Sequence, residues 1–194
     1  MTDFVVTSHH PDAVRYAVHL MKAFREHVGF LPTMALEEKA LYGGIMLGLL
    51  NGEPCGYVVY ARPTSGADLR LFQIAVPTDV QRRLYGAAIM AEVEAVATAA
   101  GCTGIWHKTA CDIEANQFWQ GVGYYCSGVV AGALKRGRAL NVYRRDLQPM
   151  LITSSSLPIL RPQLRDAAHG GRYQRIRSGD AGAIVPFGWK QEAL

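Results

Sequence analysis

The stretch of this 194-residue chain with the most chemical potential runs from Leu69 to Gly101, LRLFQIAVPTDVQRRLYGAAIMAEVEAVATAAG. Its apolar opening, residues 69–76, predicts a strand, Pro77-Thr78-Asp79 a turn, and the spacing over residues 82–100 a long helix stopped by Gly101. The first amides of a helix have no carbonyl of their own helix to bind, and with the macrodipole behind them they form a seat for a phosphate. Gln81, Arg82, Arg83 and Gly86 fall at that predicted start. Glycine lets a ligand come close to the backbone, and arginines there add charge-assisted bonds to a diphosphate. An ordinary amphipathic helix with a solvated basic beginning is the competing reading.

Groups able to move a proton are few nearby. The strand before the turn offers Arg70 and Gln73, neither of them a base. His107, on the next apolar run, is the best titratable candidate, because a small environmental shift brings an imidazole near neutrality; the alternative is a histidine satisfied inside the fold. Tyr125 is a weaker catalytic candidate, and Tyr85 and Asp68 are weaker still. His9 and His10 are adjacent and so point different ways, which suits a solvated turn better than a metal pair. Cys55, Cys102, Cys111 and Cys126 form no CxxC pair and have no histidine pair at ligand spacing, so no metal site is expected and the thiols read as reduced.

The elements that must position these residues follow from periodicity. Residues 4–7 predict a strand and residues 11–27 a helix, with Val14, Ala17, Val18, Met21 and Phe24 on one face. A short helix is expected over residues 35–41. Strands over 44–50 and 55–61 flank Asn51-Gly52, a strong hairpin signal. After the central strand and long helix come a strand over 103–109, a helix over 113–122 stopped by Gly123, and strands over 124–131 and 139–146 joined by Lys135-Arg136-Gly137-Arg138. That order predicts a mixed, mostly antiparallel α/β sheet flanked by helices.

The joint pattern resembles the GNAT superfamily of acetyl-CoA-dependent N-acyltransferases over some 140 residues. The superfamily's phosphate loop, Q/R-x-x-G-x-G/A, is matched by Gln81-Arg82-Arg83-Leu84-Tyr85-Gly86 at the expected distance from Val76, with Leu84 where the first glycine should be. The alternative register, Arg83-Leu84-Tyr85-Gly86-Ala87-Ala88, lies two residues late. A second match is Asp112-Ile113-Glu114-Ala115-Asn116-Gln117-Phe118-Trp119, similar to N-x-x-A-x-x-F-Y, and this D-x-E-A-N-x-F-W form resembles a bacterial and phage branch. The resemblance implies acetyl-CoA as co-substrate, held by Ile74, Val76, Gln81, Arg82, Arg83, Leu84, Tyr85, Gly86, Ala87, Asp112, Asn116 and Trp119, and an amine acceptor that it does not identify. Asp112 stands where the family has a pantetheine-binding Asn. Trp119 stands where a Tyr protonates the departing thiolate, and an indole N–H is no usable acid at neutral pH.

Hydrophobic residues at 49% and charged residues at 19% exclude a chain disordered throughout, a collagen-like repeat and a coiled coil. No apolar run reaches the roughly 18 residues of a membrane span, and the start MTDFVVTSHHPD has no signal-like apolar stretch, so a cytoplasmic protein is expected. A domain over residues 1–147 and an irregular basic tail over 148–194 are expected. The tail has four prolines and five glycines, and apolar groups only in isolation, among them Phe187 and Trp189. Such a segment stabilises by docking on a surface made elsewhere, which suggests a protein partner or a second copy of the chain. Three functions stay open on sequence: an N-acetyltransferase, a non-catalytic assembly protein such as a virion component, and a CoA-linked nucleic-acid base modifier, the last motivated by the basic tail.

Overall fold

The computed structural model describes residues 3–132 and 137–147, in two compact units. The first holds residues 3–107 and 146–147, the second residues 108–132 and 137–145, and the chain passes between them at 107/108 and again at 145/146, each time within a strand. The elements in order are β1 (Phe4–Thr7), α1 (Ala13–Ala23), α2 (Thr33–Leu41), β2 (Ile45–Leu50), β3 (Glu53–Tyr60), β4 (Asp68–Ala75), a 3-10 turn (Thr78–Val80), α3 (Tyr85–Ala99), β5 (Gly104–Ala110), α4 (Ala115–Gly121), β6 (Tyr125–Ala131) and β7 (Ala139–Asp146). In the first unit the strand order is β1-β2-β3-β4-β5, antiparallel except for the parallel β4/β5 pair. In the second, β7 lies between β5 and β6, and β6/β7 is antiparallel. The mixed, mostly antiparallel α/β arrangement expected from the sequence is present. The tail and the Lys135-Arg136 turn lie outside the described residues.

Three helices are shorter than their periodicity predicts, α4 by two residues at its start and one at its end. α1 ends at Ala23 rather than His27, because Arg25, Glu26 and His27 bring no apolar face to bury; the chain continues in turns closed by bonds from the His27 and Val28 amides to the Phe24 carbonyl. α3 starts at Tyr85 rather than Arg82, because Arg82 and Leu84 have φ of 61° and 66°, outside helical space. Its other end is the expected one. Gly101, at φ 74°, donates to Thr98 while Cys102 donates to Ala97, satisfying the last carbonyls. The hairpin also forms as predicted, with Asn51 and Gly52 at φ 51° and 85°.

The core of the first unit sits where Ala13, Ala17, Leu20 and Met21 of α1 and Leu36 of α2 meet Ile45, Leu47, Tyr57, Val59 and Ala75 of the sheet. Each large side chain buried there contributes roughly 1.5–3 kcal/mol. Successive strand residues point to opposite faces, so Gly48 and Gly56, next to Leu47 and Tyr57, face the other way. They are register partners, and a Cβ on either would lie 3.0 Å from Cδ1 of Ile89. α3 can therefore lie close on this face, with Ile89, Met90, Val93 and Ala97 buried. At its first turn the Tyr85 ring stacks on Phe4 of β1, centroids 4.7 Å apart.

Replacing Gly56 by Val should test this seat, since its Cβ would also meet the Ala75 carbonyl oxygen and Val76 Cγ2, each at 3.2 Å. We expect a loss of about 2–3 kcal/mol in denaturant unfolding, and little change for Gly121→Ala, where a Cβ meets nothing within 4 Å.

Candidate functional site

The geometry of the site begins with one extra residue in β4. β4 pairs with β5 over three rungs, Asp68 with Gly104, Leu69 with Ile105 and Arg70 with Trp106, and Thr103 Oγ1 donates to the Asp68 carboxylate at 2.7 Å. On its other edge the register with β3 jumps from Tyr60 opposite Leu71 to Val59 opposite Gln73, leaving Phe72 as a bulge. A bulge bends its strand and ends regular pairing locally. β4 runs on to Ala75 with β3 alone as its first-unit partner, and Ile74 and Val76 there are half-buried. Gln73 is buried and spent on structure. It accepts a bond from Tyr57 Oη at 3.1 Å and donates to the Gly29 carbonyl, tying β4 to the segment between α1 and α2. Burial pushes the Tyr57 phenol well up, so it stays a protonated donor.

From β4 the chain crosses Val76 and the 3-10 turn to the loop singled out by sequence. The Gln81 side chain donates back to the Val76 carbonyl at 2.8 Å, closing the loop on the strand end. Gln81, Arg82, Arg83 and Leu84 are exposed, and Tyr85, Gly86 and Ala87 form the first helical turn. Leu84 is left-handed at φ 66°, ψ 4°, and its carbonyl takes the Ala88 amide at 2.9 Å. The amides of Tyr85, Gly86 and Ala87 thus have no helical acceptor, and a left-handed residue leading into a helix turns successive N–H groups into one concavity. Leu84 is 78% exposed, so no packing compensates a conformation that costs roughly 1–2 kcal/mol in a residue with a Cβ. The left-handed residue stands where the register over residues 81–86 has its first glycine position. In the later register that position is Gly86, inside the helix.

The second unit holds the other sequence candidates. Asp112 accepts from Arg138 at 2.8 and 3.1 Å, and these hydrogen bonds hold its carboxyl below the usual carboxylate range. Asn116 donates to the carbonyls of Ala110, Cys111 and Ile113 and accepts from buried Asn141 at 2.9 Å, so its amide fixes the turn between β5 and α4. Cys111 Sγ donates to Asn141 Oδ1 at 3.2 Å, and burial raises its thiol pKa. Trp119 is 3% exposed, packed edge-on to Tyr124 with centroids 5.3 Å apart. Tyr125 is exposed at the start of β6. His107, the last residue of the first unit before the chain crosses over, is 3% exposed.

The structure therefore brings Ile74, Val76, Gln81, Arg82, Arg83, Leu84, Tyr85, Gly86 and Ala87 together at one end of β4, within one unit. Sequence reasoning missed the Phe72 bulge, which residue type does not signal. It also missed the structural use of Gln73, for which a lone amide at an apolar position of a strand was the available sign.

The profile of the Acetyltransferase (GNAT) family matches residues 10–124. The chain belongs to this family. No curated protein matches the sequence. Solved structures share the fold of this GNAT protein at low identity. Ard1 from Thermoplasma volcanium superposes with a TM-score of 0.66 at 13% identity, over 75% of this chain and 99% of that one. The ribosomal-protein-S18-alanine N-acetyltransferase from Escherichia coli gives 0.60 at 14%, over 76% and 96%. N-acetylglutamate synthase from Neisseria gonorrhoeae, complexed with coenzyme A and N-acetyl-glutamate, gives 0.62 at 14%, over 77% of this chain and 36% of its own. Membership makes the protein an acetyltransferase with acetyl-CoA as co-substrate. Among the described residues no helix is long and apolar enough to cross a membrane.

Leu84→Gly should raise stability by roughly 0.5–1 kcal/mol, the strain of the left-handed leucine less the extra chain entropy that glycine loses. Denaturant melts of the two proteins measure it, and a loss of stability would show that the leucine is favoured by contacts of its own.

Proposed function

We propose that this GNAT protein transfers acetyl from acetyl-CoA to an amine, with the diphosphate of CoA on the backbone amides of residues 83–87 and the pantetheine arm along the end of β4 past Ile74 and Val76. The observation that carries this reading is the left-handed, exposed Leu84 leading into α3, a backbone shape that turns the amides of the first helical turn into one concavity. The residues present fit the ligand. Anionic oxygens meet N–H groups that the helix cannot satisfy, the helix dipole adds to the attraction, and Arg82 and Arg83 stand exposed beside them. Gly86, in the first helical turn, keeps the approach open.

In the transfer the amine nitrogen attacks the thioester carbonyl carbon, the C–S bond breaks, thiolate leaves, and the amine gives up a proton. The chain's contribution is mainly to hold the two reactants together, which supplies several kcal/mol for a thioester because thiolate is a tolerable leaving group. Trp119 stands where the family resemblance puts a tyrosine acid, and its indole N–H is no usable acid at neutral pH, so water is the proton source for the thiolate. His107 and Tyr125 are the titratable candidates for the amine's proton.

Titration calorimetry with acetyl-CoA tests the reading. Binding in the micromolar range is expected. Gly86→Trp should abolish it with the fold retained by circular dichroism, and Arg82→Ala should weaken it by about 1–2 kcal/mol, the scale of one charge-assisted bond. No heat and no thermal shift at millimolar acetyl-CoA would overturn it.

A further inference from the structure

The sheet face that carries α1 and α2 bears a cluster of cations laid on aromatic rings. Lys39 Nζ of α2 sits 4.1 Å from the centroid of Phe72, the bulged residue of β4. Arg70 Cζ lies 4.7 Å from the same ring and 5.1 Å from that of Trp106. Arg62, just past β3, lies 5.3 Å from the Tyr42 ring. Lys39, Arg62 and Tyr42, with Glu38 and Gly44, line a cavity of 220 Å³. The ion pairs Arg15–Asp12, Arg25–Glu26 and Arg138–Asp112 lie elsewhere. A guanidinium over an aromatic ring keeps N–H groups to donate, and its fork matches a carboxylate in two parallel bonds.

The place of this patch matters as much as its charge. Arg70 and Trp106 form the last rung between β4 and β5, where the bulge turns β4 away. Phe72 packs against the core of α1 and α2, whereas α3 lies on the opposite face over Gly48 and Gly56. The diphosphate seat at the start of α3 and the cation cluster thus belong to opposite faces beside the same strand.

We propose that Lys39, Arg62 and Arg70 bind a carboxylate of the acceptor, so that the amine acetylated by this protein is carried on an acidic molecule. This rests on the acetyl-transfer reading for what is done to the amine, though not for the binding of the carboxylate. The rings of Phe72 and Trp106 for Lys39 and Arg70, and of Tyr42 for Arg62, hold the cations in place and lower the ordering cost of meeting the ligand.

The test uses tetraglutamate with a free amino terminus and a fluorescent label at its carboxyl end, tetraglutamine labelled in the same way, and unlabelled free glutamate as competitor. Anisotropy titration should show the wild-type chain binding tetraglutamate at least about tenfold more tightly than tetraglutamine, the size of one good charge-assisted contact. Competition by glutamate means that a small amino acid suffices; its failure to compete means that an acidic peptide is needed. The triple variant Lys39→Gln, Arg62→Gln, Arg70→Gln should lose that preference and, in thiol-release assays with tetraglutamate, raise KM by about tenfold while kcat changes by less than about twofold. Arg62→Gln alone, at an exposed position, should give part of the loss and guards against misfolding of the triple variant. Equal affinity for the two peptides, or a preference untouched by the substitutions, overturns the proposal. A chain that binds tetraglutamate but not acetyl-CoA would sink the acetyl-transfer reading, and with it the acceptor role, and keep only the carboxylate site.

Discussion

One extra residue in β4 shapes the first unit on both faces of its sheet. With Phe72 unpaired, β4 cannot keep step with both neighbours, and its rungs to β5 end at Arg70. The bulge leaves Gln73 buried, where it can reach Tyr57 and Gly29. It also places the Phe72 ring under Lys39 and Arg70. A strand that leaves its parallel neighbour opens backbone along its edge, and the GNAT reading puts the pantetheine arm along it. The amide concavity is then a consequence of connection. α3 is held down by Ile89 over two paired glycines, so the chain must turn sharply between the end of β4 and Tyr85, and it does so through Arg82 and Leu84 in left-handed conformations.

Turn chemistry and apolar period are local, and they were legible. Asn51-Gly52 announced the hairpin, Gly101 the end of α3, and the alternation along residues 69–76 the central strand. The start of α3 was misplaced by three residues for an equally physical reason. Leucine is among the residues least suited to the left-handed region, so nothing in its type announces that Leu84 adopts it. The bulge was hidden because it is a relation between two strands and not a property of either.

The motif residues of the second unit make structural contacts that the motif does not announce. Asn116 was found, but its amide holds the β5–α4 turn through three carbonyls and Asn141. Asp112 was found, and it is engaged by Arg138. Trp119 is buried against Tyr124 in the interior of its unit.

The claim on which the rest hangs is that the loop made by the left-handed Leu84 seats the diphosphate of CoA through its own amides. Backbone amide NMR of the labelled full chain, titrated with coenzyme A, tests this most directly. Saturable downfield shifts of the Arg83, Leu84, Tyr85, Gly86 and Ala87 amide protons are expected, since each would exchange water for an anionic oxygen. Binding that shifts amides elsewhere and leaves these five unmoved would contradict it.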